Sequence, residues 1–297
     1  MFKEKEIENI VQVTERQMRE KVVQGMYCMA TVKWTPTDEF TEITKATVEK
    51  IRDPYTVYKV GETYYGLPFT KGVKVSVDDF LKEMKDGRLL VPEKKTAVAG
   101  VDCTASMIFP LNDFTSINER YLTNDFIWNR LITTPLAKID LNCEKVNSDV
   151  LSKKYSSEVY YEGYAKLEIG DILCSHFVRT SGSHAGLMVD HTRLISGTTH
   201  VVYKEDGTID PKESYVIIIE NTAALMDATD ANNFGGNITE EDYVVPYEPD
   251  LTITDIKKIT DLKGKLTNFK VNRKISFESL FVNHYIPMTF NIYHKKA

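Results

Sequence analysis

The sequence predicts an α+β fold, with helices in the first half of the chain and strands in the second. An amphipathic pattern of helical period opens the chain, and short apolar runs bounded by Gly, Asp and Ser follow residue 166. The chain has 297 residues, of which 42% are hydrophobic and 27% charged, so it can bury the core of one large domain.

Residues 4 to about 25 are the first predicted helix, because apolar residues recur at three- and four-residue spacing opposite a charged face. These apolar residues are Ile7, Ile10, Val11, Met18 and Val22. Gly25 offers a stop or a kink, and residues 29–36 form an extended segment that ends at Pro36.

Loops and short helices are predicted up to residue 165. Residues 51–72 combine tyrosines with Gly and Pro, which indicates a structured aromatic loop. Val77–Met84 predicts a short helix. Residues 100–109 pass from small to apolar side chains, as at the start of a buried helix that Pro110 limits or bends. A further helix is expected around residues 124–132.

Three segments in the second half of the chain predict buried strands. Leu167–Cys174 is a turn that enters the first strand, Ala185–Val189 is the second strand, and Tyr215–Glu220 is the third. Asp206-Gly207 marks a turn between the second and third runs. We expect a single domain over residues 1–297. Its core spans about 55–225, with an N-terminal helical extension at 1–50 and a C-terminal extension at 226–297 that either completes the sheet or forms a small appended unit.

The charge and composition of the chain argue against nucleic-acid binding, a membrane-spanning helix and a disulfide framework. The net charge of −6 gives no general drive toward nucleic acid, because phosphate binding depends on clustered Lys and Arg. No stretch approaches the ~18 apolar residues of a membrane-spanning helix. The widely spaced cysteines predict no disulfide framework; they are Cys28, Cys103, Cys143 and Cys174. Localisation stays open between a cytoplasmic protein and one that is secreted or cell-wall associated after removal of a signal. The oligomeric state also stays open.

Cys103 is the candidate nucleophile of the chain. A reactive cysteine must be partly ionised near neutral pH, and a helix start and a neighbouring imidazole both favour the thiolate. Asp102 can cap the helix that follows, and Thr104-Ala105 keep its first turn narrow enough for a substrate carbonyl. We expect the backbone N–H groups of this turn to act as oxyanion donors.

His184 is the predicted general base. It follows the flexible Ser181–Ser183 segment at the start of an apolar strand, so its ring can face a cleft while the sheet holds its backbone. The third predicted strand ends in Glu220-Asn221, and either side chain could accept the imidazole N–H and orient the ring. We also expect Asp102, Thr104 and Ser183 to contact substrate.

Each of these residues also has a structural interpretation. Cys103 could be a buried, inert thiol. Tyr64 and Tyr65 could be aromatic packing or could line the site. Cys174 and His176, together with His184 or His191, could in principle bind zinc, but no clear fourth ligand follows. We therefore expect no metal.

Several segments resemble the NlpC/P60 family of papain-like cysteine peptidases. They are Tyr64–Phe69, Asp102–Ala105, Leu167–Leu173 with its Gly-Asp turn, and Ser183–Val189. Together they look like the upstream tyrosine loop, the nucleophile motif and the histidine strand of that family. The resemblance covers roughly residues 55–225, with the cysteine before the histidine.

The resemblance implies a papain-like fold in which N-terminal helices that carry Cys103 pack on an antiparallel sheet that carries His184 and Glu220. It implies hydrolysis of amide bonds in peptides, such as peptidoglycan stem peptides, without a metal or organic cofactor. Tyr64 or Tyr65 would then line the site.

The chain departs from the family pattern in three places. Ser106 stands where many members have an aromatic residue, and Glu220 stands where many have His, which is similar to the related CHAP amidases. The long interval between Cys103 and His184 predicts an insertion over the site. Two rival functions use the same residues: a non-catalytic binding module and a thioester-forming acyltransferase.

Overall fold

The computed structural model describes residues 15–41, 57–70, 72–95, 98–112, 122–141, 146–180, 185–186, 188–227 and 266–294. These residues form a mixed α+β structure around a ten-stranded sheet, with two further two-stranded pairs. The predicted α+β class is therefore confirmed. None of the helices in these ranges is long and apolar enough to cross a membrane.

The strands of the described residues are, in chain order, β1 (Lys33–Pro36), β2 (Phe40–Thr41), β3 (Val57–Tyr58), β4 (Tyr64–Tyr65), β5 (Val73–Lys74), β6 (Met84–Lys85), β7 (Arg88–Leu89), β8 (Ala99–Gly100), β9 (Thr133–Pro135), β10 (Ile172–Val178), β11 (Met188–Ile195), β12 (Tyr215–Asp227), β13 (Leu266–Ser276) and β14 (Ile286–Phe290). The large sheet has the order β6-β7-β1-β4-β13-β12-β11-β10-β14-β9. Most of its neighbours are antiparallel, but β1 pairs with β7 and β13 with β4 in parallel. The sheet is thus mixed rather than wholly antiparallel.

The helices of the described residues are Glu15–Thr31, Val77–Lys82, Ala105–Ile108, Thr123–Trp128, Ser148–Lys154, Ser157–Tyr164 and Phe277–Val282, with 3-10 turns at Phe109–Leu111 and Asn291–His294. The first helix continues through Gly25, so the predicted stop there is wrong. A Cβ atom at Gly25 would lie 2.5 Å from Cγ of Pro110. The glycine therefore permits a close approach between two segments instead of ending the helix. Residues 4–14 of the predicted helix lie outside the described residues.

The three predicted strands of the second half correspond to β10, β11 and β12, but their bounds differ. Ala185 and Gly186 lie in an exposed turn, and β11 runs on to Ile195. Its polar stretch Asp190–Arg193 is not an apolar run, which is why the prediction ended at Val189. The third strand continues past Glu220 to Asp227, so Glu220 and Asn221 lie within a strand and not at its end.

The C-terminal strands complete the main sheet. β13 lies between β12 and β4, and β14 lies between β10 and β9. The alternative of a small appended unit therefore does not describe these strands. Their apolar residues belong to the same buried cluster as Val22 and Met26 of the first helix, so the two ends of the described chain share one core.

Candidate active site

Cys103 lies in the turn between β8 and the short helix Ala105–Ile108. The carboxylate of Asp102 accepts hydrogen bonds from the backbone N–H groups of Thr104, at 3.1 Å, and Ala105, at 2.8 Å. Its other oxygen lies 2.8 Å from Nζ of Lys74. Asp102 therefore caps the turn, as the sequence indicates. Because the Asp102 carboxylate already accepts hydrogen bonds from these two N–H groups, they do not serve as the oxyanion donors that we expected at the helix start.

Several hydrogen bonds hold the backbone and side chain of Cys103 in place. The hydroxyls of Ser106 and Thr192 each donate to the Cys103 carbonyl oxygen at 3.0 Å, so the turn is tied to strand β11. The Cys103 sulfur lies 3.7 Å from the hydroxyl oxygen of Thr104 and 3.7 Å from the carbonyl oxygen of Asp190. The residue is only 2% exposed. Its thiol is thus buried, but it has polar neighbours.

His191 lies between this thiol and a carboxylate. Its ring is hydrogen-bonded to Cys103, and its Nε2 lies 2.6 Å from Oε2 of Glu220. Burial alone would lower the pKa of His191, but hydrogen bonds to Cys103 and Glu220 outweigh burial and raise the pKa to about 9. The three side chains form a Cys–His–Glu chain of contacts.

Glu220 is surrounded by positive charge. Its carboxylate lies 2.7 Å from Nε of Arg193, 3.3 Å from Nη1 of Arg273 and 3.6 Å from Nζ of Lys270. Burial alone would raise the pKa of Glu220, but Arg193 and His191 hold it well below its usual value. The carboxylate therefore stays ionised and can orient a protonated imidazole.

Other predicted site residues have different surroundings. Asn221 is buried, and its amide atoms have no hydrogen-bond partner in the described part of the chain. Tyr64 is 1% exposed and stacks on Trp34 with ring centroids 4.9 Å apart, so the packing interpretation describes it. Tyr65 is half-buried against the core. Ser183 and His184 lie outside the described residues, so their predicted roles stay predictions.

His191 is the neighbour of Cys103 that sequence reasoning considered only as a possible zinc ligand. The missed signal is a polar run inside the strand: from Asp190 to Arg193 strand β11 carries only polar residues, and its apolar end is Leu194-Ile195. A search for apolar runs alone excludes such a strand. Searching for a histidine inside a polar strand after the cysteine would have found it.

The zinc interpretation of Cys174 and His176 has no support in the described residues, where no three His, Cys, Asp or Glu side chains are grouped to hold a metal ion. Cys174 is buried, and burial raises the pKa of its thiol well above the usual value. His176 instead lies with Nδ1 3.1 Å from a carboxylate oxygen of Asp190.

Comparisons with protein-family models, with curated proteins and with solved structures each found no match to this chain. The geometry of Cys103, His191 and Glu220 is therefore the basis on which a function can be argued.

Proposed function

We propose that the protein is a cysteine peptidase or amidase in which Cys103 is the nucleophile, His191 the acid and base, and Glu220 the orienting carboxylate. The observation that carries the proposal is the continuous contact from the Cys103 thiol through the His191 ring to the Glu220 carboxylate. This order of roles is that of a cysteine-type triad. His191 takes the role that the sequence alone assigned to His184.

The reaction follows from the proton on His191. With a pKa of about 9, the ring holds a proton at neutral pH, and the thiolate of Cys103 attacks the amide carbonyl. As the C–N bond breaks, His191 gives its proton to the leaving amine and a thioester forms on Cys103. Water then attacks the thioester while His191 accepts a proton from it, which releases the carboxylic acid and restores the Cys103–His191 pair.

The substrate class rests on the resemblance to NlpC/P60 peptidases. The motif around Cys103, the Gly170-Asp171 turn and the cysteine-before-histidine order support a papain-like arrangement and peptides such as peptidoglycan stem peptides as substrates. His191 lies beyond Ser183–Val189, the segment that carries the histidine part of the resemblance, so the proposed base is not the histidine of that motif.

Hydrolysis of peptidoglycan fragments tests the proposal, with three alanine variants. We expect Cys103→Ala and His191→Ala each to lower turnover by at least about a thousandfold, because triad members act as a unit. His184→Ala is the matched control and should retain most activity. Equal loss in both histidine variants would contradict the assignment of the base to His191, and full activity of Cys103→Ala would exclude thiol catalysis.

The burial of Cys103 favours a second candidate, a binding module that retains the triad residues without turnover. A thiol that is 2% exposed is inaccessible unless the site opens. Rapid alkylation by iodoacetamide would count against this candidate. An acyltransferase would use the same three residues, and transfer of the acyl group to an added amine in place of water would identify it.

A further inference from the structure

Three cations surround the carboxylate of Glu220, and their charge exceeds it. Arg193, Lys270 and Arg273, called here the cation cluster, each contact this carboxylate, and no second carboxylate contacts any of them in the described part of the chain. The neighbouring thiol and imidazole add no net charge, because the pair is neutral both as thiolate with imidazolium and as thiol with imidazole. The cation cluster and Glu220 together therefore carry an excess of two positive charges (3 − 1).

The cation cluster reaches solvent, whereas its counter-ion does not. The side chain of Glu220 is 1% exposed, but that of Arg273 is 29% exposed, that of Lys270 16% and that of Arg193 13%. Burial lowers the pKa of Lys270, and the nearby Arg273 and Arg193 lower it further, as expected where like charges outnumber their counter-ion. The surface that this part of the sheet presents to solvent is therefore positive.

A β-bulge brings two of the three cations to the same face of the sheet. Between their paired positions, β12 advances two residues, from Ile218 to Glu220, while β13 spans three, from Lys270 to Arg273. Side chains three residues apart in a regular strand point to opposite faces, and one extra residue in a bulge turns the second of them toward the face of the first. Asn272, within this interval, has a φ of 54°, in the left-handed region that Asn adopts more readily than most residues. The bulge thus allows Lys270 and Arg273 to converge on one carboxylate.

Both arginines of the cation cluster keep N–H donors for a second anion. Arg193 donates to Glu220 through Nε at 2.7 Å, and Arg273 donates to it through Nη1 at 3.3 Å. A guanidinium carries five N–H donors, so each side chain has further donors beside this bond. The Arg193 guanidinium also lies over the Tyr285 ring, with Cζ 4.2 Å from the ring centroid. This contact holds the plane of the guanidinium and so fixes the direction of its remaining donors.

We propose that Arg193, Lys270 and Arg273 form a binding site for a phosphate group, either the free ion or a phosphoryl group of an organic molecule. A phosphoryl group carries a charge of about −1.5 to −2 near pH 7, which balances an excess of two positive charges, whereas a carboxylate supplies a single negative charge. Planar guanidinium groups bind two phosphate oxygens at once, and the lysine adds a point charge. This site goes beyond the proposed peptidase function and does not depend on it, because its three cations take no part in the thiol chemistry.

Equilibrium dialysis of the full chain against radiolabelled inorganic phosphate, at an ionic strength kept constant with chloride, tests the proposal. We expect one phosphate to bind per chain. Arg273→Gln should raise the dissociation constant by about tenfold, which corresponds to about 1.4 kcal/mol, because it removes charge-assisted hydrogen bonds to the anion. Arg88→Gln, which removes an exposed arginine elsewhere, is the matched control and should leave the dissociation constant unchanged.

Three results would overturn the phosphate site. They are no binding of phosphate to the wild type, the same dissociation constant in wild type and Arg273→Gln, and acetate that displaces labelled phosphate as well as unlabelled phosphate does. Acetate is the probe with a single negative charge, so we expect it to compete more weakly. Arg273→Lys keeps the charge but loses the planar fork, so it should weaken binding less than Arg273→Gln, and it serves if the glutamine variant does not fold.

Competition with phenyl phosphate distinguishes the two sources of the phosphate group. Displacement of labelled phosphate at lower concentrations of phenyl phosphate than of unlabelled phosphate would support a phosphoryl group on an organic molecule. Displacement only at equal or higher concentrations would support the free ion. The result is also independent of peptidase activity: phosphate binding without hydrolysis contradicts only the proposed function, and hydrolysis without phosphate binding contradicts only this site.

Discussion

At the scale of single residues, the protonation state of His191 decides whether Cys103 can be held as a thiolate. Because contacts with Cys103 and Glu220 raise its pKa to about 9, we expect the resting site to contain an imidazolium beside a thiolate. In the proposed mechanism, the imidazolium acts first as an acid toward the leaving amine, and only afterwards as a base toward water. A site of this kind needs no separate base to activate the thiol.

The pH dependence of alkylation tests this ion pair. We expect iodoacetamide to alkylate Cys103 with a midpoint well below pH 8.5, the value of a free cysteine, because the protonated His191 stabilises the thiolate. His191→Ala should move the midpoint upward, and His184→Ala should not. A midpoint that is the same in wild type and His191→Ala would contradict the pair.

At alkaline pH, the rate of turnover should depend on pH differently from the rate of alkylation. The folded-state pKa of His191 is raised to about 9 from 6.5, so its proton is present below that value and is lost as the pH rises through it. Turnover should therefore fall above about pH 9, whereas alkylation should not, since the thiolate persists there.

Glu220 connects three neighbouring strands at the scale of secondary structure. It lies on β12, and its carboxylate contacts Arg193 of β11 and both Lys270 and Arg273 of β13. One buried carboxylate thus neutralises cations from both flanking strands and also orients His191. Under the proposed function, Glu220 combines a structural role with the positioning of His191.

Glu220→Gln should destabilise the fold by about 3 kcal/mol at neutral pH, because it removes the buried counter-ion of three half-buried cations, Arg193, Lys270 and Arg273. The pKa of Glu220 is depressed in the folded state, so its contribution is present above the unfolded value of about 4.3 and is lost as the pH falls. The difference in the free energy of unfolding between variant and wild type should therefore become smaller at acidic pH. Urea unfolding at several pH values measures it. Glu213→Gln, at an exposed position, is the control. An equal difference at every pH would contradict the ionic origin.

The elements differ in how far local sequence predicts them. The first part of β12 is a continuous apolar run, and the sequence locates it; β10 begins with the apolar residues Ile172–Cys174, which the sequence also locates, but it continues through polar residues to Val178. β11 was cut short because its site-bearing part is polar, and Gly25 was misread because its partner, Pro110, is 85 residues away in sequence (110 − 25). Local patterns predict an element that packs by its own apolar face. They do not reveal a glycine that is required by a distant contact.

In the candidate site, too, some contacts can be predicted from local sequence and others depend on distant parts of the chain. Cys103 and its cap Asp102 are adjacent in sequence, so their relation is visible in a motif. The contact between His191 and Glu220 depends on the alignment of β11 with β12, in which Leu194 pairs with Ile219. That register is set by packing of the whole sheet and cannot be read from either strand alone.

At the scale of the whole molecule, the sheet depends on strands from both ends of the described chain. β13 pairs with β12 along most of its length and in parallel with β4. The region around residues 55–225, which carries the family resemblance, therefore lacks a central strand of its own sheet.

A shortened chain that ends at residue 225 should not fold. Its β12 would expose the edge that β13 covers, including the buried residues Ile217 and Ile218. We expect an aggregated or unfolded product, as measured by circular dichroism and size-exclusion chromatography. A soluble, cooperative domain with reactive Cys103 would show that the C-terminal strands are dispensable.

The parallel pair of β4 and β13 also constrains the order of events during synthesis. Tyr64 leaves the ribosome long before its partner Leu266, which is 202 residues later (266 − 64). Until then, the nascent chain carries β12 with an open edge and cannot close the sheet. Translation therefore exposes an aggregation-prone intermediate, and a chaperone that shields this edge would raise the yield of active protein.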